Sequence, residues 1–209
     1  MKTIIFDLDG TLTDAGEGII NCAALALRQL GLPVPDRDAM SVFVGPPLRD
    51  TFRKFGVTEE KVEEAISSYR SRYIPIGMFE NTPYPGIHAL LAALKERGHK
   101  LYVATSKPET MAVAILQKFD LAPYFDLICG ATLDSSRDSK SKVIEYLLNQ
   151  IQKNDTVMVG DTVFDVLGAA EHGIPTIGVT WGYGKAEDMI HAGAVTIVNT
   201  PMQLLDILY

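Results

Sequence analysis

Asp7 and Asp9, two carboxylates near the start of the chain, lie directly after the apolar run of residues 2–6. That run is typical of a buried strand, so both side chains are expected to point to one side at its end. Two extended residues advance the chain by roughly 7 Å, and such close carboxylates resist joint ionisation unless a cation separates them or one keeps a proton. With a divalent metal, one carboxylate can attack phosphorus while the other delivers and later removes a proton. We assign Asp7 as nucleophile and Asp9 as acid/base.

Thr105, Ser106 and Lys107 follow a second apolar run, residues 100–104. A hydroxyl and backbone N–H groups at the start of a helix can hold a phosphate oxygen, and Lys107 would add positive charge near the mouth of such a site. Together with Glu109, the same residues also form an acceptable capping box. A phosphate contact and a plain helix cap therefore both remain open for this segment.

Another strand pattern runs into Asp161, and Asp165 follows on the first turns of the next predicted helix. An aspartate in this place is often a helix N-cap. Two more carboxylates at the sheet edge that carries Asp7 and Asp9 need a further explanation, and a hard cation supplies it. Mg²⁺ prefers oxygen ligands, so Asp7, Asp161 and the backbone carbonyl of Asp9 would suit it, with Asp165 behind them orienting a lysine or a bound water.

Lys140 and Lys142 open a predicted helix, where the positive end of the helix dipole disfavours cations. A nearby negative charge should compensate, and a phosphate together with the aspartates would serve. The alternative is a solvated basic patch shared with Arg137, which is the commoner fate of surface lysines.

The elements that must position these residues alternate between strand and helix patterns. Such alternation is typical of parallel βαβ units with right-handed crossovers, and it predicts an α/β fold with a Rossmann-like parallel sheet core. Ligands of such sheets lie outside the carboxyl ends of the strands, where all the polar segments above fall. Strands are predicted over residues 2–8, 100–104, 125–129, 156–159, 176–179 and 194–198, and helices over residues 108–119, 141–152, 163–172 and 201–208.

Residues 16–83 interrupt this alternation, because they offer helix-period segments and no convincing strand. Tethered at two points beside the catalytic loop, such an insertion can act as a lid. The predicted domains are an α/β catalytic core of residues 1–14 and 84–209 and a helical cap of residues 15–83, with cap helices that end at Gly31 and cover residues 47–55 and 59–73.

Two further segments stand where they can meet a substrate. Arg49 opens a predicted cap helix, where its guanidinium either binds a substrate carboxylate or phosphate or remains a solvated helix end. Residues 181–184, Trp-Gly-Tyr-Gly, follow a strand on the same edge and either contact substrate or cap or form a packed loop.

The segment Asp7-Leu8-Asp9-Gly10-Thr11 resembles the first motif of the haloacid dehalogenase superfamily of aspartate-nucleophile phosphatases. The helical insertion is similar to the small cap of the subfamily that includes phosphoglycolate phosphatases, some 5'-nucleotidases and β-phosphoglucomutase. The resemblance implies an aspartyl-phosphate intermediate on Asp7, a Mg²⁺ cofactor and a hydrolytic water that Asp9 activates. It also places Gly10 and Thr11 at the phosphate.

The remaining motifs of that family align with the other polar segments. The resemblance favours Thr105, assisted by the amide of Ser106, as the second motif. It favours Lys140 over Lys142 as the third, and the pair Asp161 and Asp165 as the fourth.

The whole chain, 209 residues with a net charge of −7, excludes several classes of partner. Duplex binding needs clustered Lys and Arg, so a nucleic-acid partner is disfavoured. No apolar run approaches eighteen residues, so no membrane span is predicted. Cys22 and Cys129 lack metal-ligand or redox spacing, which favours a reducing compartment, and we predict a cytoplasmic protein. A monomer and a homodimer both remain open.

The predicted function is Mg²⁺-dependent hydrolysis of a small phosphorylated metabolite. Phosphoglycolate, a nucleoside monophosphate and pyrophosphate all remain open as substrates. A phosphomutase of the β-phosphoglucomutase type would use the same phosphoaspartate. A phosphoaspartate signalling module is disfavoured, because Asp9 promotes turnover and receiver domains lack the helical insertion.

Overall fold

The computed structural model describes residues 1–134, 136–152 and 155–209. The strands are β1 Thr3–Phe6, β2 Thr13–Asp14, β3 Thr82–Pro83, β4 Lys100–Pro108, β5 Leu127–Ala131, β6 Thr156–Gly160, β7 Thr176–Val179 and β8 Thr196–Val198. The α-helices are α1 Gly16–Gln29, α2 Arg37–Met40, α3 Leu48–Lys54, α4 Val62–Tyr73, α5 Ile87–Glu96, α6 Glu109–Lys118, α7 Lys140–Leu148, α8 Val163–Ala170, α9 Ala186–His191 and α10 Leu204–Ile207. Six strands form a parallel sheet in the order β5-β4-β1-β6-β7-β8.

The central strand, β1, is buried along its whole length. Ile4 and Phe6 face one hydrophobic cluster, which α5 and α10 complete, and Ile5 faces a second cluster built with α7 and α8. Burying a side chain of this size contributes roughly 1.5–3 kcal/mol, so the strand is fixed from both faces. The loop that follows β1 therefore starts from a rigid point.

The predicted parallel α/β core is confirmed, because each predicted strand lies in this sheet. Two of the strand ends that carry site residues differ from the prediction. β1 stops at Phe6 rather than at residue 8, since the Leu8 carbonyl already accepts backbone hydrogen bonds from Thr11, Leu12 and Thr13 in a tight turn. β4 runs on to Pro108, with an irregular register after Thr105.

Three helices, α2, α5 and α9, lie outside the predicted ones, and α2 is a single turn of four residues. α5 carries its apolar residues at helical spacing and buries them against the sheet. Its pattern was therefore readable, although the helix directly follows a segment that contains Pro83 and Pro85. α9 is only six residues long, too short for periodicity to reveal it.

The predicted helical insertion contains α1 to α4, and its core is a third, separate hydrophobic cluster between α1, α3 and α4. Aromatic rings interlock there, with the centroids of Phe43 and Phe52 5.1 Å apart in an edge-on arrangement. Such pairs contribute about 0.5–1.5 kcal/mol beyond simple burial. Met111 of α6 joins this cluster from the sheet side, so the insertion packs directly on the core.

A short ladder closes the base of the insertion. The prediction that residues 16–83 hold no strand is wrong at their end, because Thr82–Pro83 pairs antiparallel with Thr13–Asp14. The Tyr84 N–H continues the connection with a 3.1 Å hydrogen bond to the Leu12 carbonyl. These bonds tie together the segments that enter and leave the insertion. The predicted domain boundaries, at residues 14/15 and 83/84, stay a prediction.

Candidate active site

The carboxyl ends of β1, β4 and β6 meet at one edge of the sheet. β1 lies between β4 and β6, so the strand order reverses direction at this strand. Open parallel sheets bind their ligands at such a point. A cavity of about 210 Å³ lies between this edge and the cap helices. From the sheet side it is lined by Asp7, Asp9, Thr105, Ser106 and Lys107, and from the cap by residues that include Phe43, Arg49, Glu63, Ile66, Tyr69, Arg70 and Tyr73.

Three buried carboxylates converge at the sheet edge that forms the floor of this cavity, and Asp7 is the one of them that lines the cavity itself. Asp7, Asp161 and Asp165 each bring an oxygen within 4.8 Å of the others. Burial raises the pKa of Asp7 to about 6, Lys140 lowers it in part, and the charge of Asp165 raises it again. Burial, and then the charges of Asp165 and Asp7, hold the pKa of Asp161 well above its usual range. Such a crowded all-oxygen donor set fits a hard divalent cation, which would relieve this repulsion.

Lys140, the first residue of α7, is the cation that the chain itself supplies to this cluster. Its Nζ lies 2.7 Å from Asp7 Oδ1 and 2.7 Å from Asp165 Oδ1, and it donates to the Ala104 carbonyl at 3.1 Å. Burial lowers the pKa of Lys140, but the two carboxylates more than offset this, so the net shift is upward and the group stays charged. Lys142, by contrast, pairs with exposed Asp138 at 2.9 Å. The structure thus brings Lys140, and not Lys142, to the aspartates.

Asp161 is held by the loop that follows β1. Thr11 Oγ1 donates to Asp161 Oδ1 at 3.1 Å. Gly10 has φ +85°, and a Cβ there would overlap the Asp161 carboxylate, so the close approach requires glycine. Gly10 and Thr11, predicted at the phosphate, therefore support a carboxylate of the acidic cluster in this structure.

Residues 181–184 also support Asp161, and sequence reasoning left this role unrecognised. The Tyr183 N–H donates to Asp161 Oδ2 at 2.9 Å, and a Cβ on Gly182 would overlap the same carboxylate. Trp181 Nε1 donates to the Thr11 carbonyl at 3.0 Å. The segment is a packed loop and also contacts the cap, because Tyr183 packs against the hydrophobic cluster of the insertion. The glycines flanking Tyr183 were the available signal, since glycine allows close backbone approach.

Asp165 is fixed by the start of α8. Its Oδ2 accepts hydrogen bonds from the Thr162 N–H at 3.0 Å and from Thr162 Oγ1 at 2.9 Å, in a capping box. Its other oxygen faces Lys140. The residue thus holds the lysine in an ion pair and also lies near enough to share a cation with Asp7, and its role in metal binding stays a prediction.

Lys107 pairs with the second aspartate of the first motif. Its Nζ lies 2.8 Å from Asp9 Oδ2 and also bonds the Tyr73 hydroxyl of α4. Burial is the largest single influence and lowers the pKa of Lys107, but the interactions with Asp9 and Tyr73 together raise it by more, so the net shift is upward and the ammonium persists. Burial raises the pKa of Tyr73 to about 12, so this hydroxyl keeps its proton. Predicted to lie at the mouth of the site, Lys107 instead joins the sheet edge to the cap.

Thr105 and Ser106 lie beside this pair at the end of β4. Both line the cavity, and Thr105 Oγ1 accepts a 3.2 Å hydrogen bond from the Lys107 N–H. That bond stabilises the irregular strand end, and the second lone pair of the hydroxyl remains available to a ligand.

Arg49 also lines the cavity, but its guanidinium is already engaged. It bonds Glu63 directly and lies 3.7 Å from Glu59. Its predicted contact with a substrate anion would have to compete with these two glutamates.

Comparison with known proteins adds the family. The family model of haloacid dehalogenase-like hydrolases matches residues 4–179. This chain belongs to that family. The tyrosine-protein kinase PtkA of Mycobacterium tuberculosis H37Rv is 46% identical over 200 residues, covering 95% of this chain and 68% of the relative. A 5'-nucleotidase of Pseudomonas aeruginosa is 41% identical over 189 residues, covering 89% and 86%. A phosphoglycolate phosphatase of Aquifex aeolicus is 32% identical over 211 residues, covering 99% and 97%.

One solved structure resembles this chain over nearly its whole length. The crystal structure of a predicted phosphatase from Clostridium acetobutylicum superimposes with a TM-score of 0.95 at 42% identity, covering 99% of this chain and 97% of that one. The predicted family, fold and enzyme class, a phosphatase, are thereby confirmed. Within the described ranges, no helix combines the length and the apolar character that crossing a bilayer requires.

Proposed function

We propose that this protein is a Mg²⁺-dependent phosphatase that hydrolyses a small phosphomonoester through a phosphoenzyme on Asp7. The observation that carries the proposal is the cluster of Asp7, Asp161 and Asp165 at the floor of a cavity, with buried Lys140 paired to Asp7 and Asp165. Asp7, Asp161 and the backbone carbonyl of Asp9 would hold the ion, with Asp165 behind them. When bound, Mg²⁺ would neutralise charge on the transferring phosphoryl group.

In the first step, an Asp7 carboxylate oxygen attacks phosphorus, and the bond from phosphorus to the substrate oxygen breaks. Asp9 gives its proton to the departing oxygen, which leaves as an alcohol. Asp9 Oδ1 suits this role, because it is buried and has no hydrogen-bond partner among the described residues, while Oδ2 is held by Lys107.

In the second step, Asp9 removes a proton from a water molecule, whose oxygen attacks phosphorus and releases inorganic phosphate from Asp7. Lys140 offsets negative charge on the nucleophile throughout, since it lies 2.7 Å from Asp7. Thr105 and Ser106 line the cavity, and the Thr105 hydroxyl and the Ser106 amide would receive phosphate oxygens there. Positioning and charge neutralisation would thus supply most of the acceleration.

The names of the relatives suggest the general class of substrate. Relatives named 5'-nucleotidase and phosphoglycolate phosphatase favour a small phosphorylated metabolite. The two cysteines are free and buried, which suits the reducing cytoplasm proposed for the protein.

A second candidate function is phosphoryl transfer from Asp7 to an acceptor other than water. The relative named tyrosine-protein kinase favours it, because it is 46% identical to this chain. A mutase outcome belongs to the same class. Product analysis separates these outcomes: hydrolysis yields inorganic phosphate in step with the alcohol, whereas transfer yields a new phosphorylated product.

The test is a phosphate-release screen over a panel of phosphorylated metabolites, with Mg²⁺ and with a chelator. We expect Asp7→Asn to lose nearly all turnover while staying folded, and acid quenching to trap labelled phosphate on the wild type alone. Asp206→Asn, which changes an exposed aspartate of α10, is the matched control. Equal release by the wild type and Asp7→Asn would contradict the nucleophile assignment.

A further inference from the structure

One face of α4 forms the roof of the cavity. Glu63, Ile66, Arg70 and Tyr73 all line the cavity and recur at the three- and four-residue spacing of a single helix face. At one end of this face, Glu63 bonds Arg49. At the other end, the Tyr73 hydroxyl bonds Lys107, so this end lies over the catalytic floor.

Arg70 stands three residues before Tyr73, about 4.5 Å nearer the far end of the helix. It is partly buried and lines the cavity. A group that binds to it would therefore lie about one helical turn from the floor, within reach of a short substrate whose phosphoryl group is at Asp7.

The charges that line the cavity are matched except for Arg70. Among the described residues, every acid lining the cavity already has another cation as its partner, and no acid lies within ion-pair distance of Arg70. The pairs are Asp7 with Lys140, Asp9 with Lys107, Glu63 with Arg49 and Asp138 with Lys142.

We propose that Arg70 binds a second anionic group of the substrate, a carboxylate or a phosphate, and so selects short phosphomonoesters that carry one. An arginine fork matches both anions with paired hydrogen bonds. Arg49, the arginine that its position at a helix start first suggested, is already neutralised by Glu63. This inference rests on the proposed phosphatase function and adds the substrate class to it.

Three probes with one two-carbon skeleton test the inference. 2-Hydroxyethyl phosphate has a neutral tail, 2-phosphoglycolate has a carboxylate tail, and ethylene glycol bisphosphate has a phosphate tail. We expect Arg70→Gln to raise KM by about ten- to a hundredfold for a probe with a charged tail, the effect of losing a charge-assisted hydrogen bond. We expect little change for the neutral probe, and partial recovery of the charged-tail KM in Arg70→Lys. The charged probe with the larger change identifies the anion.

Two controls separate this inference from the proposed function. Arg37→Gln removes an exposed cap arginine outside the cavity and should leave all three KM values unchanged. Arg49→Gln should alter the ratio between charged and neutral probes less than Arg70→Gln does. The inference would be overturned if Arg70→Gln changed KM equally for all three probes, or if the wild type had equal KM values for neutral and charged tails. The proposed phosphatase function would still stand in either case, provided that phosphate release depended on Asp7. Release that does not depend on Asp7 would overturn both.

Discussion

The floor and the roof of the cavity hold similar ion pairs in very different surroundings. On the floor, the side chains of Lys140, Asp7 and Asp165 are only 5%, 7% and 0% exposed. On the roof, those of Arg49 and Glu63 are 40% and 70% exposed. Exposed pairs contribute little because solvent screens them, whereas a buried charge without its partner is costly. The floor is therefore a fixed reaction centre, and the roof is a surface whose contacts can exchange with those of a substrate.

Removing the floor cation should have the largest effect. Lys140→Met leaves three buried carboxylates together, and we expect a loss of about 3–5 kcal/mol in the free energy of unfolding without Mg²⁺. We also expect turnover to fall by about a hundredfold or more. Urea melts with and without Mg²⁺ and steady-state rates measure both effects.

Lys142→Met is the matched control, two residues along the same helix. Its pair with Asp138 is half exposed, so the stability change should stay below about 1 kcal/mol. A similar loss of unfolding free energy in both variants would show that burial does not make the floor pair more important than the exposed one.

The contact between floor and roof comes next. Among the described residues, Lys107 is the one cation within ion-pair distance of Asp9, so Lys107→Met should cost about 3 kcal/mol, together with at least tenfold in kcat. Tyr73→Phe removes one hydrogen bond but keeps the ring, whose centroid lies 4.8 Å from Lys107 Nζ, and should cost about 0.5–1.5 kcal/mol. Urea melts and steady-state kinetics measure both losses. A larger loss in Tyr73→Phe than in Lys107→Met would disprove this order.

Substitution of Gly10 tests how tightly the floor is packed. Gly10→Ala combines a strained positive φ with overlap on Asp161, so we expect loss of most turnover and of stabilisation by Mg²⁺. Gly98→Ala has a similar φ, +81°, but no atom within 4 Å of the added Cβ. Both should lose about 1–2 kcal/mol from backbone strain. If Gly98→Ala also abolished turnover, backbone strain rather than contact with Asp161 would be the cause.

The contrast between floor and roof also explains what the sequence could predict. The sheet was readable because buried parallel strands are continuous apolar runs, and the floor was readable because Asp7 and Asp161 directly follow two of them. The hydrogen-bond partners that distant segments supply to the site residues could not be predicted from the sequence. Lys107 was predicted at the mouth of the site because its partner Tyr73 lies 34 residues earlier in the chain, on another element. The hydrogen bond from Tyr183 to Asp161 likewise joins residues that are 22 positions apart. The sequence pointed to Arg49, at a helix start, and not to Arg70, because the glutamate that pairs with Arg49 lies on α4 and meets it only when α3 packs there.

The smallest expected effect concerns Arg72 and Glu80, a cap pair 2.6 Å apart with both side chains 26% exposed. The hydrogen bond from Arg72 lowers the pKa of Glu80 below its ordinary 4.5. A lowered folded-state pKa means that the pair stabilises fully above that ordinary value, and that this contribution is lost as the pH falls through the folded pKa. Glu80→Gln should therefore cost about 1 kcal/mol or less at neutral pH and nearly nothing in strong acid, as urea melts at both pH values would measure. A difference that persisted in acid would mean that Glu80 acts through packing rather than charge, and the cap would then resemble the floor more closely than its exposure suggests.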